Sequence, residues 1–246
     1  MPQNLHRKSA DQPVMPADLP KTIGTPAPLI YDLTFDGKLW GEERNRSVIL
    51  ALYDTAGENL GNPDVARRMV QYLRIASGVM FLIDPLQVET VRQLVPRETL
   101  PPVDPLGDPC RIIGNVFQEL ENSKVVAKNE PLSIPVAVVL TKCDVLRERG
   151  LIELNRLWNS DQRHVRAYDT AYHNDMNGMM GEYVHQWSEK AFSTVRSRFS
   201  RHAFFGVSAT GCASDPKTGV YPYIAPFRVE DPLLWLLSEL GVIPAR

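Results

Sequence analysis

Ile134–Leu140 is a continuous apolar run, IPVAVVL, that stops abruptly at Thr141-Lys142-Cys143-Asp144. An apolar stretch without alternation marks a strand covered on both faces, and such strands belong to parallel sheets sandwiched between helices. Gly78–Asp84 and His202–Val207 repeat the pattern, and Leu29–Phe35 and Val48–Tyr53 add two strands joined by a loop around Gly37–Arg46. Helical spacing falls between them. Val65, Met69, Val70 and Leu73 predict a helix over Pro63–Ser77, with Asn62 as its cap. Further helices are predicted over Arg111–Leu120, Leu146–Trp158, Gly181–Phe199 and Asp231–Leu240, the last capped by Asp231 with Pro232 at its first position. Pro85–Pro109 reads as loop with one short helix, and Asp169–Met180, rich in Asn, Asp, Gly and Met, as loop. Strands alternating with helices predict an α/β fold, a mostly parallel sheet with helices on both faces.

The chain has 246 residues, 43% of them hydrophobic, enough to bury the core of one domain. Residues 1–28 are Pro-rich and polar without periodicity, and are expected to form a disordered or extended tail. The domain then spans 29–246, with insertions at about 85–131 and 150–201. A net charge of −2 gives no electrostatic footprint for nucleic acid or for an anionic membrane. Arg196, Arg198 and Arg201 read as a solvated helix face. The three cysteines, Cys110, Cys143 and Cys212, lie far apart and have no metal spacing, which fits a reduced compartment. The apolar runs are too short to span a bilayer and the N-terminus has no signal core, so a cytoplasmic protein is expected.

Three short polar motifs end these apolar runs. Asp54-Thr55-Ala56-Gly57 follows Val48–Tyr53, at the carboxyl end of a strand, where open α/β sheets bind ligands. A carboxylate there can hold Mg²⁺ through water, and Gly57 leaves room for a backbone N–H to approach a γ-phosphate. In Thr141-Lys142-Cys143-Asp144, Asp144 can accept hydrogen bonds from both N1–H and the exocyclic amine of guanine, a fork that adenine lacks. Lys142 can lay its aliphatic stem along the ring. In Ser208-Ala209-Thr210-Gly211 a small residue lets a backbone N–H reach guanine O6.

With their order and placement, the blocks VILALYDTAGEN (Val48–Asn59), TKCD and VSATG resemble the Ras-like GTPase superfamily, and within it the bacterial double-GTPase family of conflict and signalling systems. The resemblance covers residues 21–246. It implies a P-loop GTPase-like three-layer sandwich, Mg²⁺ and GTP or GDP as ligands, and hydrolysis by water oriented against the γ-phosphate. By the same resemblance Asp54 and Gly57 are second-switch residues, and Thr141, Lys142 and Asp144 read the base with support from Ser208 and Ala209. Thr25, preferred to Thr22, is the first-switch Mg²⁺ ligand.

Two departures accompany it. Glu58 stands where many relatives place the glutamine that orients the attacking water; a carboxylate there could act as a base or await a partner's arginine. The glycine-rich phosphate loop G-x-x-x-x-G-K-[ST], with its strand and helix, is absent from the sequence. Two readings follow. One is a truncated guanine-nucleotide switch domain with Glu58 and Gly57 as catalytic residues, working with a protein effector or with a chain that supplies the missing loop. The alternative is a degenerate pseudo-GTPase that acts as a protein-interaction scaffold.

Other features read as structural. His164, His173, His185 and His202 lack ligand spacing. Met176, Met179 and Met180 are read as adaptable core fillers, Trp187, Phe192 and Phe199 as a helix's inner face, and Leu233–Leu237 as a core-facing closing helix.

Overall fold

The computed structural model describes residues 29–35, 38–39, 42–43, 46–52, 76–97, 100–103, 108–122, 130–153, 167–215 and 218–246. The predicted tail at 1–28 and nearly all of the predicted helix at Pro63–Ser77 lie outside these residues.

At the centre, β5 (Val79–Ile83), β6 (Val136–Leu140) and β7 (His202–Gly206) form a parallel sheet in the order β5-β6-β7. All five residues of β6 are buried, at 0–2% exposure, as its unbroken apolar run requires. At about 1.5–3 kcal/mol for each fully buried Val or Leu side chain, this strand is a main source of apolar stabilisation.

The sheet's two faces carry different covers. Val136, Val138, Leu140 and Phe204 pack among α2 (Pro109–Asn122), α4 (Thr170–Trp187) and α5 (Glu189–Arg198). On the opposite face Ala137, Val139, Ala203 and Phe205 meet Trp235 and Leu236 of α6 (Asp231–Glu239), along with Tyr168. A 3-10 turn at Pro85–Gln87 and the short α1 (Glu89–Arg92) follow β5, and α3 (Cys143–Glu148) follows β6. The predicted α/β class with helices on both faces therefore holds.

The sheet is smaller than predicted. β1 (Leu29–Phe35) pairs antiparallel with β4 (Arg46–Leu52), from Leu29 opposite Leu52 to Phe35 opposite Arg46, and the two form a separate sheet. Lys38–Leu39 (β2) and Glu42–Glu43 (β3) form a short ladder in the connection. Among the described residues β4 pairs with β1 alone, so the motif after it does not end a strand of the parallel sheet. A hairpin closes through a short connection, whereas a parallel pairing needs a long crossover and a larger loop-closure entropy.

The helices differ too. Asp169–Met180 is not a loop: α4 runs through it, with Asp169 accepting the Tyr172 N–H at 3.0 Å as N-cap. Tyr172, Met176, Met180, Val184 and Trp187, at helical spacing, are all buried. Gly181 lets the Phe204 ring close in, since a Cβ there would lie 3.2 Å from it. The continuous helix expected to Phe199 breaks at Ser188, whose non-helical backbone ends α4 and whose hydroxyl caps α5 at Ala191. α3 starts before Leu146 and closes at Gly150, where φ is +67°. The closing helix has Glu230, not Asp231, at its N-cap position, with no side-chain cap bond, and Asp231 falls in its first turn. Arg198 is no simple solvated residue; it bonds Glu121 at 3.1 Å and lies over the Phe117 ring at 4.3 Å.

Candidate functional site

Five of the nine proposed site residues converge where the parallel strands end. β6 delivers Thr141, whose N–H and hydroxyl both reach the Ile83 carbonyl at 2.9 Å. Lys142 then takes a left-handed backbone, φ 55°, a conformation that costs a non-glycine residue about 1 kcal/mol or more. That turn starts α3 and sends the Lys142 ammonium to Asp84, at the end of β5, with Nζ to Oδ2 at 2.6 Å. The other Asp84 oxygen accepts the Leu86 N–H at 2.9 Å.

Asp144 points inward and is only 3% exposed. Its Oδ1 accepts the hydroxyl of Ser208, itself 1% exposed, at 2.6 Å. Ser208 Oγ accepts in turn the Gly211 N–H at 2.8 Å. The Ser208 backbone is tied in both directions to Phe227, at 2.9 and 2.8 Å. Ala209 and Lys142 are the exposed residues of this group. Beside them the Cys143 thiol is pushed up to about 12, first by burial and then by the Asp144 charge, against a bond from the Val207 backbone region that lowers it.

These bonds show where the residues assigned to base reading lie. Asp144 is enclosed, and its Oδ1 accepts the Ser208 hydroxyl. Lys142 is turned to Asp84 rather than left to flank a ring. Asp54, Gly57, Glu58 and Thr25 lie outside the described residues. Among the described residues no group of three or more His, Cys, Asp or Glu side chains could hold a metal ion.

Next to this junction the chain exposes apolar surface that the motif reading missed. Val220, Tyr223 and Ile224 are 61%, 53% and 56% exposed. Their loop is held firmly: Ala225 N–H bonds Thr210 carbonyl at 2.8 Å, the Cys212 thiol donates to the Tyr223 carbonyl at 3.1 Å, and Asp215 accepts the Thr218 N–H at 3.0 Å. Gly211, with φ +77°, sits so close to Ala225 that a Cβ would collide with its carbonyl oxygen. Large contiguous apolar patches on soluble proteins mark contact surfaces. The signal in the sequence was the Val-Tyr-Pro-Tyr-Ile run at Val220–Ile224.

No helix among the described residues is long and apolar enough to cross a membrane. No family model matches the chain, and no solved structure matches it. Over 233 residues it is 30% identical to SaeC of Mycolicibacterium smegmatis, a protein named for ESX-1 scaffolding and assembly. That alignment covers 86% of this chain and 56% of SaeC, so the chain spans a little over half the length of this relative. The match overturns the resemblance to Ras-like and double-GTPases: the relative's name describes scaffolding, and no GTPase model fits. The reading as a GTP-binding switch or GTP hydrolase falls with it.

Proposed function

We propose that this chain is a protein-interaction scaffold that takes part in assembling a multiprotein complex, of the secretion type named for its relative. The observation that carries this reading is the 30% identity to a scaffolding and assembly protein across most of the chain. The buried Asp144–Ser208 pair supports it, because that bond is spent inside the fold. The exposed side chains of Val220, Tyr223 and Ile224 supply apolar surface for a protein partner. Protein partners replace the guanine nucleotide expected from the motifs.

The test is direct binding. Purified chain is immobilised and each purified component of its host's ESX-type secretion machinery is passed over it. Saturable binding to at least one component, weakened by Tyr223→Ser and Ile224→Ser, is the expected result. A cooperatively folded chain that retains none of them would end the scaffold reading.

A further inference from the structure

The two edges of the parallel sheet are finished differently. In a parallel ladder alternate residues of a strand direct both N–H and C=O to one neighbour, and the residues between direct theirs to the other side. The Val79 N–H bonds the Pro135 carbonyl at 3.0 Å and the Ile83 carbonyl accepts the Thr141 N–H at 2.9 Å. Val79, Phe81 and Ile83 therefore face β6, and the backbone groups of Met80 and Leu82 point to the outer edge. On β7 the same logic turns Phe204 outward, since Val136 N–H bonds Arg201 carbonyl and Val207 N–H bonds Leu140 carbonyl. There the Phe204 N–H is capped by Asn177 Oδ1 of α4 at 2.8 Å. Among the described residues no corresponding cap reaches Met80 or Leu82.

The β5 edge also lacks the usual guards. Its sequence, VMFLI, has no charge, no proline and no bulge in its register with β6. Met80 and Leu82 share the sheet face of Ala137, Val139, Ala203 and Phe205, which α6 covers. Yet they remain 36% and 68% exposed, an apolar ledge beyond the helix. Strands of parallel sheets are normally covered on both faces.

We infer that the outer edge of β5 is a docking edge that takes an extended, apolar segment of a partner polypeptide as a fourth strand. Complementarity of backbone partial charges sets the occupant. The N–H and C=O groups of Met80 and Leu82 alternate at strand spacing, a pattern that another extended backbone matches. The partner's alternate side chains lie over the ledge of Met80 and Leu82 beside α6. This inference rests on the scaffold reading and assigns it a particular surface.

The test uses the full chain in its host, with a photoreactive phenylalanine analogue placed at Leu82, at Tyr223, or at Leu94, which is 59% exposed and outside β5. The segment cross-linked at position 82 is identified by mass spectrometry, synthesised, and titrated against the purified chain. The expected result is a segment of a different protein that binds, slows amide exchange at Met80 and Leu82, and binds about tenfold more weakly to Leu82→Pro, which removes an edge donor. Met80→Lys with Leu82→Lys, a change confined to exposed side chains, weakens it similarly and guards against misfolding of the proline variant. Cross-linking at position 82 no stronger than at Leu94, or a peptide that leaves the Met80 and Leu82 amides unprotected, overturns the inference. So does a cross-link to another copy of this chain. Failure of the scaffold reading looks different: no protein is then captured from position 82 or from position 223.

Discussion

Ser208 donates its hydroxyl hydrogen to Asp144 across 2.6 Å, joining the end of β7 to the start of α3 inside the protein. Both residues are almost fully buried, so neither can turn to water if the other is lost. Ser208→Ala leaves a buried carboxylate short of a donor and the Gly211 N–H without its acceptor. The expected cost is about 2–3 kcal/mol, read as a lower urea midpoint at unchanged slope. A loss below about 0.5 kcal/mol, the range of ordinary surface substitutions, would remove the structural role assigned to the pair.

Gly211 is expected to be intolerant of any side chain. Its φ of +77° disfavours L residues, and a Cβ would strike the Ala225 carbonyl oxygen. Gly211→Ala should destabilise the chain by about 2 kcal/mol or more and free the loop that presents Tyr223. Limited proteolysis after Tyr223 reports this: faster cleavage than in the parent protein is expected, and equal rates would contradict it.

His173 makes stability depend on pH. Its ring stacks on Trp235 with centroids 6.0 Å apart, lies 5.6 Å from Phe205, and has Nδ1 3.0 Å from the Tyr168 hydroxyl. Burial lowers its pKa from the ordinary 6.5, with the Glu239 charge acting the other way. The unfolded chain then binds the proton more readily, so this contribution is present above about pH 6.5 and is lost as pH falls below it. His173→Gln should flatten the fall in melting temperature between about pH 7.5 and pH 5.5. A parent and variant with parallel profiles would exclude His173 as the source.

Cys143 should be inert. Its thiol is fully buried, pushed up to about 12, and bonded to the Leu140 carbonyl at 3.4 Å. The thiolate is the reactive form, so iodoacetamide at neutral pH should leave Cys143 unmodified until urea unfolds the chain. Peptide mapping that found it alkylated at the native rate of a free thiol would show that the core opens there.

Much of the framework was legible in local pattern. β5, β6 and β7 follow from apolar runs, α6 from Pro232 with its leucine-rich stretch, and Met176 and Met180 were recognised as core. The miss at α4 has a clear cause. Asn174, Asp175, Asn177 and Gly178 carry poor helix propensity, and burial of Tyr172, Met176, Met180, Val184 and Trp187 outweighs it. Thr141, Lys142, Asp144 and Ser208 do meet at the strand ends, but the motif could not reveal that Asp84 claims Lys142 and that Asp144 faces the interior.

Sequence alone determined the alternation of strands and helices, because a period of apolar residues is a property of neighbours along the chain. Only the tertiary structure decided which strands share a sheet, where Asp144 points, and that among the described residues the β5 edge stands without the cap Asn177 provides on β7. The Asn177–Phe204 and Asp144–Ser208 bonds join residues 27 and 64 positions apart. They depend on how elements pack, and the same motif letters serve an open ligand site or a closed internal pair according to that packing.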